Sequence, residues 1–154
     1  MLDGGACPVG VESTIVGFEG GAPVLLRPGG LAAEAIAACL GRGLGRPAAA
    51  AVSAPGQLAS HYAPLAPLRL DAGRAAADEV RIGFGPGDGD LNLSPSADLA
   101  EAAANLFAQL RAADARVAER GARGIAVAPV PRHGLGLAIN DRLARAAAPR
   151  PAGG

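Results

Sequence analysis

Lysine is missing altogether: all fourteen basic residues are arginine, and fourteen acidic residues balance them to a formal net charge of zero. With no basic excess, the chain as a whole is not built as a nucleic-acid surface, and no direct nucleic-acid binding is expected. Cysteine is scarce. Cys7 and Cys39 are too few for a disulfide framework, and the opening "MLDGG" lacks the charged and apolar regions of a secretion signal, so a cytoplasmic location is expected. No apolar run reaches the roughly 18 residues of a membrane span, because glycine, proline or a charge interrupts each candidate, and no membrane association is expected. The two histidines and two cysteines fall at no metal-ligand spacing, which argues against a zinc site. Apolar residues, by contrast, make up half of the chain, enough for a real core. The abundance of alanine and glycine reads as the codon bias of a GC-rich genome and carries no function by itself.

The chain divides into three parts. In residues 1–41, a β-branched run from Val11 to Phe18 and a second run from Pro23 to Leu26 flank the turn-forming "EGGA", which predicts a hairpin. Leu31, Ala35, Ile36 and Leu40 follow at helical spacing up to Gly41, a suitable residue to end a helix. Two strands and a helix are marginal alone, so their apolar faces are expected to lack cover, and residues 1–60 are expected to be cut readily by proteases while residues 65–150 are protected. Residues 42–64, ending in "HYAP", hold glycine, proline and small residues without periodicity and read as an interdomain linker. Residues 65–150 alternate strand and helix patterns: "LRL", "EVRIGFG" and "LNLSPS", then a helix starting at Asp98 with Glu101 three positions on, then "GIAVAPV" and a last helix through "LAINDRLARAA". Along the long helix Leu99, Leu106, Leu110 and Val117 share a face. The order predicts a small α/β domain with a largely parallel sheet.

Few residues offer chemistry. Ser13 and Thr14 sit in an apolar strand, where hydroxyls need partners; either both make cross-strand hydrogen bonds or Ser13 lines a substrate cavity. Arg27, just before Pro-Gly-Gly, suits a phosphate or carboxylate, or equally a surface ion pair. "GLGLAIN" half-matches a dinucleotide-binding turn through Gly134 and Gly136, but Ile139 stands where the third glycine belongs, which favours a structural turn. Cys7 with His61 as base is a weak nucleophile pair, since nothing in the sequence fixes their distance.

Three stretches, "LDGGACPVGVESTIV", "LLRPGG" and "APGQLASHYAP", occur in an order that resembles the threonylcarbamoyl-AMP synthases, the YrdC-like enzymes of a tRNA modification, in their two-domain form. The resemblance extends through "SPSADLAEAAANLFAQLRAAD" and "GIAVAPVP" to "GLGLAINDRLARAA" and so covers almost the whole chain. It implies an α/β fold: residues 1–41 as the C-terminal end of the catalytic domain, 42–64 as linker, and 65–150 as a Rossmann-like α/β/α domain. It also implies a nucleotidyl transfer that joins L-threonine, bicarbonate and ATP into L-threonylcarbamoyl-AMP and pyrophosphate, with Mg2+ accompanying ATP but no ligand for it visible here. The product would pass to the machinery that makes threonylcarbamoyladenosine in tRNA. By this resemblance Ser13 contacts threonine, Arg27 contacts ATP, and Tyr62, beside His61, lies on a linker crossing the cavity mouth; no catalytic residue is assigned. The family's ATP-holding lysine and arginine residues and its "PSAN"-like loop would precede Met1, so the isolated chain is expected to be an inactive fragment. The alternative is a non-catalytic accessory or protein-binding module. Two positions depart from the family: Gly17 replaces a common aspartate, and Gln57 a methionine.

Overall fold

Ile15–Glu19 (β1) and Ala22–Arg27 (β2) pair antiparallel around the Gly20-Gly21 corner in the computed structural model, which describes Gly5, Cys7 and residues 9–48, 63–87 and 89–149. β1 starts four residues later than the run the sequence suggests and ends one later, while β2 extends its expected run by one residue at each end. The register slips by one between Ile15 and Val16, so Leu25, Leu26 and Arg27 span the length of two residues on β1. Such a bulge reverses side-chain parity. Val24 and Arg27, three apart, are thereby both buried.

Ala33–Leu40 (α1) follows and ends at Gly41, whose positive φ of 66° closes the helix in the left-handed conformation. None of its residues is buried. Beyond it the chain returns along β2: the Leu25 amide donates to the Gly45 carbonyl at 2.9 Å and the Gly45 amide to that of Pro23 at 2.8 Å. The early part of the segment read as linker is therefore pinned to the hairpin. His61, Tyr62 and Gln57 lie outside the described residues.

The second sheet is wholly parallel, as expected. Its strands are Leu68–Arg69 (β3), Glu79–Gly83 (β4), Leu91–Asn92 (β5) and Gly124–Val127 (β6), in the order β3-β6-β4-β5. Val80, Ile82, Ile125 and Val127 point from it into one core with Leu106 and Leu110 of Leu99–Arg120 (α2) and Ile139 and Leu143 of Leu135–Ala147 (α3). The two helices pack on each other as well as on the sheet. Arg69, Ala126 and Arg81 form the adjacent cross-strand row. No described helix of this region covers that row, so the α/β/α layering implied by the resemblance appears here as two layers. Residues 70–78, which link β3 to β4, make turns, held by Arg69 to the Arg74 carbonyl and by the Ala76 amide to Glu79.

The start of α2 follows its sequence signal with one change. Asp98 accepts a hydrogen bond from the Glu101 amide at 2.8 Å, a cap contributing about 1 kcal/mol. Glu101 does not return the bond; its carboxylate accepts from Ser94 and Ser96, and the Asp98 amide donates instead to Ser94 Oγ at 2.9 Å.

Candidate functional site

The segment preceding β1 carries Glu12, Ser13 and Thr14 past the turn that follows β2. Gly29 makes this approach possible: a Cβ there would lie 2.3 Å from the Ser13 carbonyl carbon and 2.4 Å from the Glu12 oxygen. The Gly30 amide donates to the Glu12 carbonyl at 2.8 Å. Thr14 Oγ1 donates to the Leu31 carbonyl at 2.6 Å and accepts from the Leu31 amide at 3.2 Å. The threonine hydroxyl is thus satisfied by a segment beyond β2, not across the two strands as expected.

Arg27 is no surface residue. Only 6% exposed, it donates from Nη2 to the Ser13 carbonyl at 2.7 Å, with Ser13 Oγ at 3.4 Å. The structure therefore brings together Ser13 and Arg27, fourteen residues apart. Ser13 also lines an open depression of about 400 Å³ with Val11, Thr14, Gly30, Leu31 and Ile36, while Arg27 stands outside that lining. Tyr62, the third expected contact, lies outside the described residues. A wider hollow, about 570 Å³, runs between Leu65–Pro67 and α2 and contains none of these motifs.

Two further residues tie this segment to the parallel-sheet region. Arg142, 2% exposed in the middle of α3, places Nε and Nη2 on Glu12 Oε2 at 2.8 and 2.6 Å and Nη1 on the Pro28 carbonyl at 3.2 Å. Asp141 adds a second carboxylate at 2.5 Å. Glu34, from α1, accepts the Gly134 amide at 3.0 Å, and that bond holds its carboxyl below the usual range. Sequence reading missed both. A signal for Arg142 was present, because it falls three residues after Ile139 and four before Ala146, on the buried stripe of α3. An arginine on such a stripe demands a partner.

Of the remaining motifs, the glycine turn serves structure. The amide that "GLGLAIN" would offer a phosphate is taken by Glu34. Gly136 serves packing, since a Cβ there would lie 1.9 Å from the Pro131 carbonyl oxygen. Cys7 is exposed, and the Gly10 and then the Val9 amide lower its thiol pKa, but His61, the base considered for it, is not described. Among the described residues no group of three or more His, Cys, Asp or Glu side chains is arranged to hold a metal, and no helix is long and apolar enough to cross a membrane.

Residues 31–148 match the family described as threonylcarbamoyl-AMP synthase, C-terminal domain. The chain is 33% identical to the threonylcarbamoyl-AMP synthase of Bacillus subtilis (strain 168) over 97% of its own length, and 35% identical to that of Pyrococcus abyssi over 95%. It spans about half of each, 49% and 48%. Among solved structures it resembles P. abyssi Sua5 complexed with L-threonine, with a TM-score of 0.70 and 31% identity over 94% of this chain and 48% of that one. A variant of the P. abyssi protein with an adjacent histidine and tyrosine replaced by alanine aligns with a TM-score of 0.62 and 29% identity, over 94% of this chain and 45% of that one.

Proposed function

This chain belongs to the threonylcarbamoyl-AMP synthase family, matching its C-terminal domain, and on that footing we propose that it supplies one wall and the cover of an L-threonylcarbamoyladenylate-forming site. Residues 1–41 form the end of a YrdC-like catalytic domain, 42–64 the linker and 65–150 a Rossmann-like domain. In the reaction, threonine's amine and bicarbonate give a carbamate with loss of water. The carbamate oxygen then attacks the α-phosphorus of ATP, and the bond to pyrophosphate breaks. Ser13 binds threonine in the depression. Arg27 contributes a fixed positive charge toward ATP, a role suited to a guanidinium already anchored and largely desolvated. Tyr62, next to His61, closes over the nucleotide and keeps water from the adenylate. No step is routed through the magnesium expected with ATP. The product feeds threonylcarbamoyl transfer to tRNA in the cytoplasm.

The observation that carries this reading is the 2.7 Å bond from Arg27 to Ser13, which joins the two motifs assigned to the two substrates. The relatives add support: one was solved with L-threonine, and another carries alanines in place of an adjacent histidine and tyrosine, a pairing that occurs here only at His61-Tyr62. The hairpin region leaves Phe18, Leu31 and Leu40 71%, 57% and 44% exposed.

Threonine- and bicarbonate-dependent pyrophosphate release tests the proposal. The 154-residue chain alone should give none at an enzymatic rate. Mixing it with the unmatched half of the B. subtilis relative should produce release that Arg27→Met abolishes. Normal turnover by the chain alone overturns the division of the site; release indifferent to Arg27→Met overturns the role of that arginine.

A further inference from the structure

We infer that Arg142 is a positioning residue through which the parallel-sheet region sets the geometry of both substrate-facing motifs. The inference rests on the proposed function only in calling Ser13 and Arg27 substrate contacts. Its structural core is that one guanidinium, 2% exposed on α3, grips Glu12 and Pro28, each one residue away from a proposed contact.

The chemistry explains why this is more than an ion pair. Glu12 precedes Ser13, and Pro28 follows Arg27. A planar fork with donors on two sides fixes the spacing between these two backbone stretches, as a point charge cannot. The stretches also meet through short bonds of their own: Gly30 to Glu12 at 2.8 Å, Arg27 to Ser13 at 2.7 Å and Thr14 to the Leu31 carbonyl at 2.6 Å. Asp141 accepts from both Arg142 and Arg145, so the fork is itself held in orientation. Glu34 on the Gly134 amide attaches the start of α3 to α1, a second tether between the same two regions. Any shift of α3 is thus transmitted to Ser13 and Arg27 together.

Amide hydrogen exchange on the full chain, read residue by residue, tests this. Arg142→Lys keeps the charge but reaches one partner only. Gly30 exchange should accelerate about tenfold or more, the loss expected for a charge-assisted contact, while Ile125 and Val127 in β6 stay within about twofold of wild type. Glu12→Gln, which keeps an acceptor and removes the charge, should shift Gly30 in the same direction by less; it also serves if the lysine variant does not fold. Unchanged Gly30 exchange in the variants that fold overturns the inference. So does equal acceleration at Gly30 and Ile125, which marks Arg142 as a general stabiliser. Threonine and ATP added to wild type mixed with the unmatched half of the B. subtilis relative separate the two proposals: if neither protects Ser13 or Thr14 there but Gly30 still responds to Arg142→Lys, the substrate assignment falls and the positioning role stands.

Discussion

The hairpin region, residues 9–48, and the sheet–helix region, residues 63–149, have the same kinds of element and opposite economies of burial. Among the described residues Val24 is the only buried hydrophobic of the first, whereas the second fills its core from β4, β6, α2 and α3. The first region makes up the difference with polar contacts: Arg27 to Ser13, Arg142 to Glu12 and Pro28, Glu34 to Gly134. The comparison teaches that the proposed substrate contacts sit where packing is thinnest and are held by a neighbour that has packing to spare. Mobile or reshaped sites are commonly drawn from such poorly packed ground.

The comparison can be broken at its strong end first. Leu106→Ala empties a fully buried site against β4 and β6 and should lower unfolding stability by about 3 kcal/mol in a denaturant titration. A value under about 1 kcal/mol, below the usual range for such truncations, would show that the core is not where the stability lies. Asp98→Ala removes the α2 cap and should lower stability by about 1 kcal/mol, with amide exchange rising first at Glu101.

A smaller effect is set by pH. The Arg69 guanidinium, with the Ala76 amide, holds the Glu79 carboxyl down at about 2 from an ordinary 4.5. Because the folded value lies below the unfolded one, this contribution is complete above about pH 4.5 and drains away as the pH falls toward 2. Glu79→Gln should flatten the stability curve in that window and leave its slope above pH 5 alone; parallel curves for the two proteins would refute the assignment. The smallest effect belongs to the weak region: Phe18→Ser, at a side chain 71% exposed, should change stability by less than about 0.5 kcal/mol. A large loss would mean that the hairpin carries a core of its own.

Elements governed by local chemistry were legible in the sequence. Asp98 and Glu101 mark the start of α2, Gly41 the end of α1, and the unbroken apolar run at Gly124–Val127 a strand. Strand ends in the hairpin were less so, because the bulge at Leu25–Arg27 breaks the alternation on which such readings depend. At the site, Ser13 and Arg27 stood out as polar residues in apolar company, and their meeting rests on a contact fourteen positions apart. Glu12 and Arg142 are separated by 130 positions, and no local pattern pairs them. Only the burial stripe of α3 hinted that its arginine had somewhere to go. That no described helix covers the row of Arg69, Ala126 and Arg81 was equally hidden, since it depends on which face of the sheet α2 and α3 take.

The slipped register in β2 makes the count of residues as consequential as their identity. Inserting one residue between Ile15 and Val16, opposite the bulge, would leave every letter of "RPGG" intact yet restore regular pairing, in which Val24 and Arg27, three apart, face opposite sides and the guanidinium turns from the protein's interior into solvent. A reagent selective for accessible guanidines would then label Arg27 where it spares the parent chain. Length, in this hairpin, is spelling.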